Sequence, residues 1–231
     1  MKKYKPKLIG IIPARKGSKR IKNKNLKKIN GKYLIEYTIQ KCIKSKVFDK
    51  IYVNSDSHII NNLTRKLNIN FYKRSAFLAR DNVFLIEVIK DMISNLKLHN
   101  DFIIILLPTS PLRTIKDIKS ALKLFKKVKK GVVSVAKYET PIQLAQYINK
   151  KKQLYNVFPK NYKLSTRSTD HENAYRFNGS LIINYGRNLM KQKNLIGNLS
   201  YPYIMPRIRS IDIDHKYQLD IVKKIIKNEK F

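Results

Sequence analysis

Two groups of residues in this sequence have the types and spacing to do chemistry. The first runs from Leu8 to Leu26. An apolar run stops at Pro13 and opens into a loop with one glycine, Gly17, beside Ser18, and six cations: Arg15, Lys16, Lys19, Arg20, Lys22 and Lys24. This reads as a buried strand that delivers a phosphate-binding loop. Backbone N–H groups at Gly17 and Ser18 would meet phosphate oxygens, and the cations would add charge-assisted donors. A solvated basic loop has the same composition. Placement directly after an N-terminal strand favours the functional reading, because open α/β sheets bind ligands at strand ends. The second group is Ser210-Ile-Asp212-Ile-Asp214. On a strand, residues two apart share a face. Asp212 and Asp214 would then point one way, as a pair suited to Mg2+, which takes one or two carboxylates plus substrate phosphates. Two surface acids pairing with lysines are the alternative. With 15 acidic residues against 50 basic ones, a same-face acidic pair stands out. Together the two groups imply a metal-bound nucleotide.

The elements that must position these groups alternate between strand and helix. Strands are expected at 8–12, 50–53, 70–73, 102–107, 131–136, 179–185 and 209–214. Helices are expected at 33–44, 58–67, 83–96, 115–128 and 217–227, from apolar periodicity and from caps such as Ser57 or Asp56. Such alternation predicts an α/β fold: three layers, with a mostly parallel sheet covered on both faces. The loops at 13–25, 54–57 and 108–113 would then sit at the carboxyl ends of strands. From Tyr138 to Arg176 polar and aromatic residues mix without a period, so about 138–176 reads as an insertion in a single domain spanning 1–231. Its tyrosines suit a partner surface.

Composition narrows the function classes. The chain has 231 residues, 43% of them hydrophobic, enough for a core. No run approaches the roughly 18 apolar residues of a membrane span. The apolar run before Pro13 is shorter than a signal-peptide core of about 7 to 15 residues. The single cysteine, Cys42, excludes an internal disulfide, reads as a buried helix thiol and fits a reducing, cytoplasmic setting. The formal charge of +35 raises a nucleic-acid-binding alternative. The lysines are spread along the whole chain, however, and specific nucleic-acid binding is not expected. Such a field would still attract small anionic substrates.

Five segments, in order, resemble the CMP-sialic acid synthetase (acylneuraminate cytidylyltransferase) family, including its legionaminic-type relatives. They are Ile12-Pro-Ala-Arg15-Lys-Gly17-Ser18-Lys19 with Lys24-Asn25-Leu26, Val53-Asn-Ser-Asp56, Leu107-Pro-Thr-Ser-Pro-Leu-Arg113, Arg176-Phe-Asn178-Gly179, and Ser210-Ile-Asp212-Ile-Asp214. The resemblance covers nearly the whole chain. It implies a Rossmann-like nucleotidyltransferase fold with a small dimerisation insertion, and a homodimer. It implies a reaction of CTP with a nonulosonic (sialic-acid-like) sugar to give the CMP-sugar and pyrophosphate. Arg15 and Lys24 match triphosphate-binding residues, Gly17, Ser18 and Asn25 match other nucleotide contacts, and Asp212 and Asp214 match Mg2+ ligands. Asp214, Arg15 and Lys24 are thus the catalytic candidates. Arg176, Asn178 and Gly179 match a sugar-site motif, in which Arg176 would hold the sugar's carboxylate. Arg113 reads as structural. Pseudaminic acid, an eight-carbon keto sugar acid, or a weakened activity remain alternatives.

Three departures from the family pattern stand out. Leu107 replaces a usual Gln that contacts substrate. Val83, Phe84 and Leu85 replace small Ser/Thr residues near the cytosine. Lys16 and Arg20 stand where small residues are common.

Overall fold

The computed structural model describes residues 4–158, 167, 169 and 171–228. A seven-stranded sheet forms its centre, in the order β11-β7-β10-β6-β1-β4-β5. The strands are β1 (Leu8–Pro13), β4 (Lys50–Ser55), β5 (Asn70–Lys73), β6 (Phe102–Leu106), β7 (Val132–Lys137), β10 (Tyr175–Tyr185) and β11 (Tyr201–Ile204). All are parallel except β10, which runs antiparallel to both of its neighbours.

Residue alternation along β1 explains the layering. Leu8 and Ile12 enter one core, with helices α1 (Leu34–Ser45), α2 (His58–Lys66) and α4 (Ile115–Val128). Ile9 and Ile11 enter the other, with α3 (Leu85–Asn95) and α5 (Gly186–Lys191). A strand buried on both faces reads as a continuous apolar run, and this is the pattern from which the three-layer fold was expected. Ser57 caps α2, accepting from the Ile60 N–H at 3.5 Å. Thr114 and Asp117 form a reciprocal capping box on α4.

A third apolar cluster sits outside the sheet. It joins Ile21, Ile29 and Leu34 to Leu112, Ile213 and two residues of α6 (Lys216–Asn228), Leu219 and Val222. It clamps the basic loop, the hairpin β2 (Lys28–Ile29)–β3 (Lys32–Tyr33) and the segment carrying the two aspartates into one unit.

The strand expected at 209–214 is absent. Arg207–Ser210 is a 3-10 turn, and the residues after it pair with no strand. The alternation survives nonetheless, because Ile211 and Ile213 both pack into the third cluster. The Ile213 N–H donates to the Thr109 carbonyl at 2.8 Å, in the loop after β6. Within the expected insertion the chain forms a hairpin, β8 (Gln146–Ile148) with β9 (Leu154–Asn156). Residues 159–166, 168 and 170 of that insertion lie outside the described residues. Among the described residues no helix is long and apolar enough to cross a membrane.

Candidate active site

The basic loop leaves the carboxyl end of β1 under tight backbone control. The Ala14 N–H donates to the Asn54 carbonyl, and the Ser55 hydroxyl donates to the Ala14 carbonyl. Beyond that anchor, the Lys16 N–H donates to Asp56 Oδ1 at 2.6 Å. The Ser18 hydroxyl accepts from the Lys24 N–H and donates to the Ile21 carbonyl, closing the loop on itself. Asn25 Nδ2 donates to the Arg15 carbonyl at 3.1 Å, while its buried Oδ1 has no hydrogen-bond partner among the described residues. Nothing lies within 4 Å of the place where a Cβ on Gly17 would sit. Its backbone is open to close approach by a ligand.

This loop forms one side of a cleft of about 400 Å³. Arg15, Gly17, Ser18, Lys24, Asn25 and Asp214 all border it. Four of its cations are already partnered. Lys24 Nζ donates to Asp214 Oδ1 at 3.0 Å and to the Ile213 carbonyl at 2.6 Å. Arg20 meets Asp214 Oδ2 at 3.1 Å. Arg15 and Lys19 share Asp81, at 2.7 and 3.0 Å, and hold its carboxyl below the usual range.

Asp212 sits deeper than Asp214. Burial raises its pKa, against a hydrogen bond with Thr109 and the nearby charges of Lys24 and Arg176 that lower it. Its Oδ1 is buried with no hydrogen-bond partner among the described residues. A half-satisfied buried carboxyl beside a second carboxylate is a donor set that a hard divalent cation completes. The two aspartates and substrate phosphates would be its ligands, since among the described residues no group of three or more acidic, His or Cys side chains forms a ready metal cluster.

The Arg176-Phe-Asn178-Gly179 motif lies beside the cleft and does not border it. Asn178 is fully buried. Its Oδ1 accepts from the Ser134 hydroxyl and the Ser180 N–H, and its Nδ2 donates to the Ser210 hydroxyl at 2.9 Å. It braces the turn that leads into Asp212, a different position from the sugar contact expected of it. Gly179 has φ +68°, and a Cβ there would lie 3.0 Å from Asp212 Oδ2. Its lack of a side chain makes room for that carboxylate. Arg176 is exposed and reaches toward the Ser210 carbonyl at 3.5 Å. Arg113 is fully buried, with one donor on the Ser180 carbonyl and another on Thr38 Oγ1. Cys42 is also fully buried, and desolvation pushes its thiol up to about 12.

Arg74 and Asp81 also border the cleft and were not among the expected site residues. Arg74 follows β5, with Nε donating to Asn54 Oδ1 and a buried NH2 that has no partner among the described residues. Burial lowers its pKa to about 10. Its position one residue past a strand's carboxyl end was the available signal. Asp81, the partner of Arg15 and Lys19, stands two residues before the bulky Val83-Phe84-Leu85 segment.

Residues 9–199 match the cytidylyltransferase family. An N-acylneuraminate cytidylyltransferase of Escherichia coli is 32% identical over 93% of this chain. This chain spans 51% of that protein's length. A pseudaminic acid cytidylyltransferase of Campylobacter jejuni is 31% identical, over 94% of this chain and 95% of that protein. In fold, the chain is similar to a CMP:2-keto-3-deoxy-manno-octonic acid synthetase solved with CTP. The TM-score is 0.68 at 13% identity, covering 96% of this chain and 98% of that one.

Proposed function

The chain belongs to the cytidylyltransferase family, and from that premise we propose that it transfers CMP from CTP to a nonulosonic acid and releases pyrophosphate. The observation that carries this reading is the single cleft bordered by Arg15, Gly17, Ser18, Lys24, Asn25 and Asp214.

In this reading the sugar's anomeric oxygen bonds to the α-phosphorus. The bond from that phosphorus to the bridging oxygen breaks, pyrophosphate leaves with the electron pair, and the hydroxyl proton passes to solvent. Arg15 and Lys24 exchange their carboxylate partners for phosphate oxygens and offset the charge that grows on the leaving pyrophosphate. The open backbone at Gly17 and Ser18 meets the β- and γ-phosphates. Asn25 contacts the nucleotide. Arg74 turns its unpartnered NH2 toward a nucleotide acceptor, which supplies the hydrogen bond that its burial otherwise denies it. Asp212 and Asp214 would hold Mg2+, which when bound screens phosphate charge and polarises the reacting phosphoryl group. Arg176, on the Asp212 side, is the donor we assign to the sugar's carboxylate.

A pyrophosphate-release assay tests the proposal. CTP, UTP and ATP are each offered with N-acetylneuraminic, legionaminic, pseudaminic and eight-carbon keto-deoxy acids in the presence of Mg2+. Release with CTP and at least one nine-carbon acid is expected. Release with no acid, or with no preference for CTP, would overturn it.

A further inference from the structure

We propose that the acceptor half of the cleft selects a sugar acid that turns a methyl group, not a hydroxyl, toward Leu107. This rests on the reading of the chain as a cytidylyltransferase for nonulosonic acids, and narrows the acceptor's chemistry.

The cleft has two unlike walls. One is the charged loop after β1. The other carries an aliphatic stretch, Val83, Leu85, Val88 and Leu107, set among Arg74, Arg80, Asp81 and Thr109. The four aliphatic side chains have no donor or acceptor, and the Thr109 hydroxyl is engaged by Asp212. Sheet order divides that second wall between the two substrates. The triphosphate loop leaves β1, which lies between β4–β5 on one side and β6–β10 on the other. Arg74 and the 78–85 segment follow β5 and fall to the nucleotide's side. Leu107 follows β6 and falls to the other side, with the carboxylate pair. Its Cδ1 is 3.5 Å from the place where a Gly179 Cβ would sit, and Asp212 Oδ2 is 3.0 Å from the same point. Leu107 is therefore next to the group assigned to the metal, where the acceptor must come. Behind it the packing is also apolar, since it rests against the second core, which Tyr52, Tyr72 and Phe177 flank.

An acceptor hydroxyl pressed against this surface gives up water and gains no partner. A methyl group, whether it ends a deoxygenated carbon chain or an acylamino substituent, loses nothing there and gains contact. Discrimination of this kind by an apolar surface is modest, about 10- to 100-fold.

The test uses pairs of nine-carbon keto acids that differ only in a terminal methyl against a terminal hydroxymethyl group. A second series varies the acyl group, from acetyl to hydroxyacetyl. kcat/KM is measured for each acid, together with KM for CTP. The wild-type chain should prefer the methyl-bearing member of at least one pair by about 10-fold or more. Leu107→Gln should erase or invert that preference and leave KM for CTP within about 2-fold. Equal use of both members by the wild type, or a preference that Leu107→Gln leaves intact, would overturn the assignment while CTP-dependent release stands. Absence of release with every acceptor would instead remove the parent reading, and this inference with it. If Leu107→Gln folds poorly, Leu107→Met serves as a size-matched apolar control that should keep the preference.

Discussion

Asp214 holds two cations at once, Lys24 on one oxygen and Arg20 on the other. In the absence of substrate these pairs keep like charges of the loop from repelling one another. When phosphates and a metal ion enter, the carboxylate and the cations can both take better partners. Asp214→Asn should therefore lower turnover by about 100-fold or more, the range seen on loss of an electrostatic transition-state partner. The fold should survive, because the carboxylate is partly exposed and outside the third cluster. Pyrophosphate release and a melting curve on the same sample check this, and unchanged turnover would remove the metal assignment. Lys41 makes a second prediction at this scale. Burial, with the positive charge of Arg113 nearby, lowers its pKa to about 8. Between pH 8 and about 10.4 the unfolded chain keeps a proton that the native chain has lost, so the native state gains stability as pH rises through that window. Below pH 8 the buried ammonium is a net cost. Lys41→Met should stabilise the protein at pH 7 by about 1–2 kcal/mol after loss of its bond to the Pro111 carbonyl. The advantage should shrink as pH rises toward 10. Denaturant melts at pH 7 and pH 9.5 give the comparison, and an advantage independent of pH would rule out the titration as its cause.

At the scale of elements, β10 is the piece that brings the site's second half into place. Its pairing with β7 shifts register between Phe177 and Ile182, and Gly179 sits within that irregularity. Gly179→Ala would force a side chain into the left-handed region, at about 1–2 kcal/mol, and press a methyl on Asp212. A fall in melting temperature of about 2–8 °C is expected, with a larger loss of activity than the fall in folded protein explains. A variant with wild-type melting and turnover would show that Asp212 does not depend on this gap. The sheet's parallel strands and main helices were legible in the sequence because each carries a strong period or a continuous apolar run. Strand 70–73 and helix 115–128 were read with the boundaries observed. Residue type and spacing marked the basic loop and the carboxylate pair locally, and the structure brings Arg15, Lys24 and Asp214 to one cleft. The 210–214 segment was misread as a strand because alternation alone does not distinguish a hydrogen-bonded ladder from an extended loop packed on one side. Strand β11 is interrupted by Pro202, which argues against a strand, and the hairpin β2–β3, with two residues per strand, is too short to show a period. Asn178's interior role was not legible, because its two hydroxyl partners, Ser134 and Ser210, are remote in sequence.

At the scale of the whole molecule, exposed apolar side chains are scattered over the described residues, and the β8–β9 hairpin carries four of them close together. Tyr147, Ile148, Leu154 and Tyr155 are each more than half exposed, and the Tyr147 and Tyr155 rings pair at 5.4 Å. A two-stranded hairpin of three residues per strand has little stability of its own in water. A cluster of exposed aromatic and aliphatic side chains of this kind marks an interaction surface. The formal charge of +35 disfavours self-association through the lysine-rich faces, but this hairpin strand pair carries no charged residue from Gln146 to Ile148 or from Leu154 to Asn156. We therefore expect a homodimer built on this hairpin, as the resemblance to cytidylyltransferases implies. Light scattering at micromolar concentration should give twice the chain mass of 27.2 kDa. Tyr147→Asp with Ile148→Asp should shift the species to monomer and leave melting of the seven-stranded core nearly unchanged, because neither side chain belongs to the three apolar clusters. A monomeric wild type, or a doubly substituted chain that still runs as a dimer, would place the interface elsewhere or remove it.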